Sequence, residues 1–450
     1  MASTILALVG VLAAGPLVWG PALSGMPVDA VLTKAVNDEA RILAAARRLP
    51  LTRPVAVRAL DRAHLAAERE ALQRRARSPE EARGEDALWA ALGLGAPRAT
   101  RTSPADVTGL YDVVQRRLLL ANWEPLEAGT FARSRDIAQA LLDGRFELGR
   151  RLRDAASAPD GGVQSDVTLA RQALWEGDAT VQALERVSPD GTLPSSRALR
   201  TLVEGLRDTI ASEAAGAAPL ALARRLLVQL DGLTFVAAAR ARLPWSAVNQ
   251  LWEHPPASTE QILHPEKYER GDAPDDVGAR LPRQMSSAGR IAFADTLGEL
   301  GVRAFLRRAV GDYRAERAAM GWGGDRALMF RQPGDGDEAA SAEYVAWVTT
   351  WDGGTDAQDF AEQASAALAA LAGAPVEEVV APVRRPPRGI SWAGSRRWRG
   401  LDAGGRLFSL EQRGVAVGLL VGAPVEAEAL LPKLLGAAAA RKSGRPRGRD

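Results

Sequence analysis

Two runs in this 450-residue sequence hold residues able to do chemistry. The first is Ser134-Arg-Asp-Ile-Ala-Gln-Ala-Leu-Leu-Asp-Gly-Arg-Phe146, and the second is Gln172-Ala-Leu-Trp-Glu-Gly-Asp-Ala-Thr180. Side chains at i and i+4 share one helix face, so a helical first run projects Arg135 and Gln139 together with Asp136 beside them. The carboxylates Asp136, Glu176 and Asp178 can act as bases or as ligands for hard cations. Arg135 is a permanent cation with no lone pair to give, and Gln139 offers only an amide oxygen. The chain has no cysteine, which excludes disulfides and thiolate metal sites. Its three histidines, His64, His254 and His264, lie outside both runs. A metal held by Asp136, Glu176 and Asp178 alone suits Mn²⁺, Mg²⁺ or Ca²⁺ better than zinc.

Helices position both runs. In Thr130 to Leu148 the apolar Phe131, Ile137, Ala138, Leu141, Leu142 and Phe146 recur at helical spacing, and a second helix is expected over Ser165 to Arg186. Val31 to Arg48 reads as an earlier helix. Pro54 to Leu60 reads as a short strand ending at the helix-capping Asp61, and Gly109 to Ala121 as a hairpin turning at Val114 to Arg116. Leu220 to Trp252 is helical, ending among Pro244, Pro255 and Pro256. From Arg326 onward strands take over: Ala327 to Arg331, Tyr344 to Thr350, Trp398 to Leu401, Arg406 to Gln412 and Val415 to Val421. Helices are expected at Asp356 to Ala372 and Glu426 to Ala440. The fold class is therefore α+β, a mainly helical core with a small N-terminal strand and hairpin region and a C-terminal α+β domain. The expected boundaries are 1–24 for a leader or anchor, 31–310 for the helical domain, 321–440 for the C-terminal domain and 441–450 for a basic tail.

The first run resembles the active-site helix of gluzincin-type zinc metallopeptidases, which reads His-Glu-x-x-His-Ala-Leu-x-Asp-x-x-Phe. The second is similar to the Glu-Gly-Asp-Ala element that carries that family's third ligand. Pro255 to Tyr268 and Gly321 to Arg326 resemble it too, and the likeness runs in order from about Arg48 to Leu435. It implies a zincin-like core in which Arg135 and Gln139 stand at the two histidine ligands, Asp136 at the general base and Glu176 at the third ligand. Arg135 would repel a dication, and Gln139 is a poor zinc ligand. Asp136 is one methylene shorter than glutamate, and a displacement of about 1 Å can cost on the order of a hundredfold in rate. The expectation is a salt bridge in place of zinc, with Arg135 pairing with Asp136 or Glu176. No metal and no cofactor is expected.

Asp178, Glu260, His264 and Lys267 are candidate cleft residues: the polar loop after Pro255 either grips a peptide backbone or ties itself to the helices. Gly323-Gly324 suggests a tight turn, and Asp325 with Arg326 a structural ion pair.

The formal charge is +2, and residues 441–450 alone contribute five Lys/Arg against one Asp, so nothing before them points to nucleic acid. The uncharged apolar run Ile5 to Gly25, with Ala22 and Ser24 spaced like a cleavage site, reads as a signal segment for the periplasm, cell envelope or exterior; uncleaved, it would be the one membrane attachment. The leading expectation is an exported, catalytically inactive metallopeptidase-like protein that binds a peptide or protein or serves the envelope. The alternatives are an active hydrolase with an oxygen-ligated metal and a structural surface protein without a ligand cleft.

Overall fold

A computed structural model describes residues 28–75, 78–95, 108–124, 129–214, 216–281, 289–332, 343–379 and 395–439. The expected leader, the Pro/Arg-rich segment around Pro382 to Arg388 and the basic tail lie outside the described residues. No helix among the described residues is long and apolar enough to cross a membrane.

The chain opens with α1 (Val28–Arg47) and β1 (Ala56–Leu60), followed by α2 (Arg62–Arg75) and α3 (Pro79–Ala91). Asp61 caps α2 through the His64 amide at 2.8 Å, and a Ser78/Glu81 capping box starts α3. The expected hairpin is β2 (Gly109–Asp112) against β3 (Arg117–Ala121), turning at Arg116 in the left-handed region (φ 52°). β1 joins β3 in parallel, giving the order β1-β3-β2 with α2 and α3 in the crossover.

Next come α4 (Thr130–Phe146), α5 (Leu148–Ala156), α6 (Ser165–Val187), α7 (Ser196–Glu213) and α8 (Pro219–Leu226). A π-helical turn, Leu227–Asp231, leads into α9 (Gly232–Arg240). α6 is the central post, packed against α4 on one side and α9 on another. Two glycines let α6 and α9 touch backbone to backbone. A Cβ on Gly177 would come to 2.1 Å from the Gly232 carbonyl oxygen, and one on Gly232 to 2.1 Å from that of Ala173. Gly177→Ala therefore has to push the helices apart, and urea denaturation is expected to show a loss of about 3 kcal/mol. Gly205→Ala on α7, with open space around the new methyl, is the control; it should be neutral or stabilising by about 1 kcal/mol.

Short helices α10 (Trp245–Val248), α11 (Thr259–Leu263) and α12 (Pro265–Glu269) lead to β4 (Arg290–Asp295), α13 (Gly298–Val310) and α14 (Asp312–Ala319). Then follow β5 (Trp322–Arg331), β6 (Glu343–Trp351), α15 (Gly354–Ala372), β7 (Glu377–Val379), β8 (Ser395–Leu401), β9 (Leu407–Arg413), β10 (Ala416–Ala423) and α16 (Leu431–Ala439). The seven strands form one antiparallel sheet, ordered β4-β5-β6-β10-β9-β8-β7. On one face Trp347 meets Phe305 of α13 and Phe360 of α15; on the other, Leu328, Phe330 and Leu420 pack with Leu431 and Leu434 of α16.

The fold is α+β, and its helical and sheet parts share one core. β4 falls before the expected boundary yet begins the C-terminal sheet, and one buried core runs from Leu174 and Val236 of the helices through Leu300 to Trp347 and Leu419. Gly323 and Gly324 do not form a turn. They lie within β5 at a register shift, where Asp275 N donates to Gly323 O at 2.6 Å and a Cβ on Gly324 would come to 2.5 Å from the Asp275 carbonyl oxygen. Close approach of the 273–281 loop, and not chain reversal, requires glycine there.

Candidate functional site

α4 and α6 bring Arg135, Asp136, Gln139 and Glu176 together. Arg135 Nη2 donates to Asp136 Oδ1 at 2.9 Å and its Nε to the same oxygen at 3.2 Å, while Nη1 lies 3.4 Å from Glu176 Oε1. Gln139 Nε2 donates to Glu176 Oε2 at 2.6 Å. The guanidinium thus spans the two carboxylates, and both ends of the Glu176 carboxylate are engaged. Asp136 is buried; its other oxygen, Oδ2, has no hydrogen-bond partner among the described residues and faces β2, where a Cβ on Gly109 would come to 2.5 Å from it. Burial pushes both carboxyl groups above their ordinary range, with Arg135 pulling the other way; the two carboxylates in turn raise Arg135. These residues do not fit a zinc ion: the central position holds a fixed cation, and the neighbouring amide is committed to Glu176.

The parts of the two runs that match the peptidase pattern have structural work here. Asp143 accepts from the Tyr111 hydroxyl and the Gly149 amide, each at 2.9 Å, tying the hairpin to the start of α5. Phe146 stacks on Trp252 with ring centroids 5.8 Å apart. Asp178 corrects an expectation. It lies two residues from Glu176, on another face of α6, fully buried and paired with both terminal nitrogens of Arg47. Trp252 Nε1 donates to it at 2.8 Å. It therefore lines no cleft, and the oxygen-ligand set Asp136, Glu176 and Asp178 is not assembled. Among the described residues no three His, Asp or Glu side chains are placed to hold a metal ion.

The loop residues are drawn inward. Lys267 pairs with Glu260 and, at 2.9 Å, with Asp352, while His264 Nε2 sits 3.1 Å from Glu299 Oε1. Glu260 is buried and Lys267 nearly so. Of the two expected roles, the geometry is that of tying the loop. His64 sits beside Asp61 on α2 and His254 is exposed, so the histidines do not converge.

One family model, described as a domain of unknown function (DUF8575), matches residues 286–428. No curated protein and no solved structure matches the chain. The matched stretch begins just before β4 and spans the whole seven-stranded sheet; α4 and α6 lie outside it.

That sheet sets the height of α6, and thereby of Glu176. Asp295, at the end of β4, accepts from the Ser165 amide at 2.9 Å, and Asp166 N donates to Thr296 O at 3.1 Å. Asp325 and Arg326 are not paired with each other, because neighbours on a strand point to opposite faces. Asp325 accepts from the Leu297 and Gly298 amides at 3.0 and 2.8 Å and from Trp347 Nε1 at 2.9 Å; Arg326 reaches Asp160, 3.0 Å from Nε to Oδ2.

Asp166, which the sequence reading missed, is buried with Oδ1 accepting from Thr259 N at 3.0 Å and Thr259 Oγ1 at 2.6 Å. An acidic residue in the first turn of a helix reads as ordinary dipole compensation, so no spacing signal marks it. Burial pushes its carboxyl from 3.8 up to about 7, opposed by the Thr259 bonds and aided by the charges of Asp325 and Glu299. The folded value lies above the unfolded one, so this group's stability is whole below about pH 4 and lost as the pH rises through about 7. The loss is expected to reach about 4 kcal/mol, and Asp166→Asn should flatten that part of the profile when melting is compared near pH 5 and near pH 8.

Proposed function

We propose that the chain is a metallopeptidase-like scaffold in which the Arg135 guanidinium stands where such an enzyme holds zinc, and that it works by binding a peptide or protein and not by hydrolysis. The carrying observation is Arg135 lying within 3.4 Å of both Asp136 and Glu176, which sets one fixed positive charge between the two carboxylates on a group that can neither activate water nor accept a lone pair. The likeness of α4 and α6 to the His-Glu-x-x-His and Glu-Gly-Asp-Ala elements supports the scaffold part of this reading. Export through the Ile5 to Gly25 segment belongs to the same proposal.

Metal analysis of the purified chain, with melting curves in chelator and in added Zn²⁺ or Mn²⁺, tests it. No bound metal and an unchanged melting temperature are expected, because a ligand of the folded state would raise it. Stoichiometric metal that disappears in Asp136→Asn or Glu176→Gln, or peptide hydrolysis sensitive to chelator, would overturn it.

A further inference from the structure

A cavity of about 340 Å³ lies where the start of α6, the 273–281 loop and the first half of β5 meet. It exists because β4 stops at Asp295, opposite Ala327, so Trp322 to Arg326 have no β4 neighbour; the loop bridges the gap through its bond to Gly323. The volume is that of about ten waters at roughly 30 Å³ each, or one to two amino-acid residues.

Most polar groups in its wall are already satisfied. Asp160 is held by Arg326, Asp275 by Arg280 at 3.1 Å, and Asp325 by two amides and an indole. Two are not. Asp166 is 2% exposed, and its Oδ2 has no partner among the described residues, since both Thr259 bonds go to Oδ1. Trp322 is fully buried, and its indole Nε1–H has no acceptor among the described residues. Trp322 Nε1 is closed off from the cavity as well as from solvent, so the open group in the wall is the Asp166 acceptor, which carries a negative charge once the carboxyl is ionised.

We propose that this cavity binds a primary ammonium group, as at the amino end of a peptide, with the ammonium on Asp166 Oδ2. A guanidinium is disfavoured because its paired hydrogen bonds need both carboxylate oxygens, and Thr259 holds one of them. A metal ion is disfavoured because Asp166 offers one free oxygen, and the other carboxylates of the wall, Asp160, Asp275, Asp276 and Asp325, are engaged by Arg326, Arg280, the Ala279 amide and the Leu297 and Gly298 amides. The proposal uses no residue of the Arg135 cluster, so it stands or falls independently of the reading of α4.

The test is calorimetric titration of the full chain, at a pH above 7, with trialanine amide, its N-acetylated form and methylamine. Saturable binding of the free-amine peptide with none of the acetylated form is expected. Peptide binding tighter than methylamine assigns the ligand to a peptide terminus, and equal binding to a small amine; both keep the ammonium site. Asp166→Asn should weaken binding by at least about tenfold. Ala257→Phe, which adds bulk at another lining residue and leaves the Asp166 carboxyl in place, should abolish it and decides the matter if the first variant does not fold. Equal binding of the acetylated peptide, no binding of any probe, or full affinity in Ala257→Phe overturns the proposal.

Discussion

Asp178→Ala is expected to cost about 3–5 kcal/mol of stability, among the largest losses any single substitution in this chain should cause. Asp178 and Arg47 are both fully buried and joined through two nitrogens and two oxygens, 2.6 Å from Nη2 to Oδ2. Trp252 donates to the same carboxylate, and the guanidinium lies 4.0 Å over the Trp245 ring. Removing the carboxylate leaves a buried guanidinium without a counter-ion and an indole N–H without an acceptor, and neither can reach water. Asp178→Asn keeps an acceptor for Trp252 and should fall about halfway. Chemical denaturation reads both, with Asp38→Ala in the exposed Lys34–Asp38 pair expected to leave the midpoint unchanged. A loss for Asp178→Ala no greater than for Asp38→Ala would mean that Arg47 finds solvent. The result bears on function, because Gly177 and Asp178 then persist for packing and charge balance, and a Glu-Gly-Asp run need not signal catalysis.

The helices were legible because their signals are local. Apolar positions three and four apart predicted α4 and α6 to within a residue or two, and the Arg135 pairing followed from charge once both helices were placed side by side. What was not legible depends on which face a side chain takes and on contacts between distant segments. Asp178 looked like a companion of Glu176, yet a two-residue step on a helix turns through about 200° and delivers it to Arg47, 131 residues away. β4 is a six-residue strand that acquires its role only by pairing with β5. The cavity beside Asp166 arises from the difference in length of those two strands, which no single segment encodes.

Arg135→His with Gln139→His should turn the guanidinium site into a zinc site. The positions are i and i+4 on one face of α4, and Glu176 already lies 3.4 Å from the Arg135 Nη1 and 2.6 Å from the Gln139 Nε2. Two neutral imidazoles and that carboxylate make the three-ligand arrangement that holds Zn²⁺ at about 2 Å per bond. Without metal the double variant should be less stable than the natural chain above pH 7, because Asp136 and Glu176 lose their cation. Lower pH should relieve that loss as the carboxyl groups, already pushed up by burial, take up protons. Zinc should reverse it, adding about 2.7 kcal/mol at a hundred times Kd, and a further Glu176→Ala should cancel the gain. Peptide hydrolysis should stay weak even then, because the Asp136 carboxylate is set back by one methylene from where a glutamate base would reach. If zinc neither binds nor stabilises the double variant, α4 and α6 are not spaced as a metallopeptidase pair and the proposed ancestry of the site fails. If it binds in one-to-one ratio, a single cation exchange, guanidinium for zinc, accounts for what this chain has kept and what it has given up.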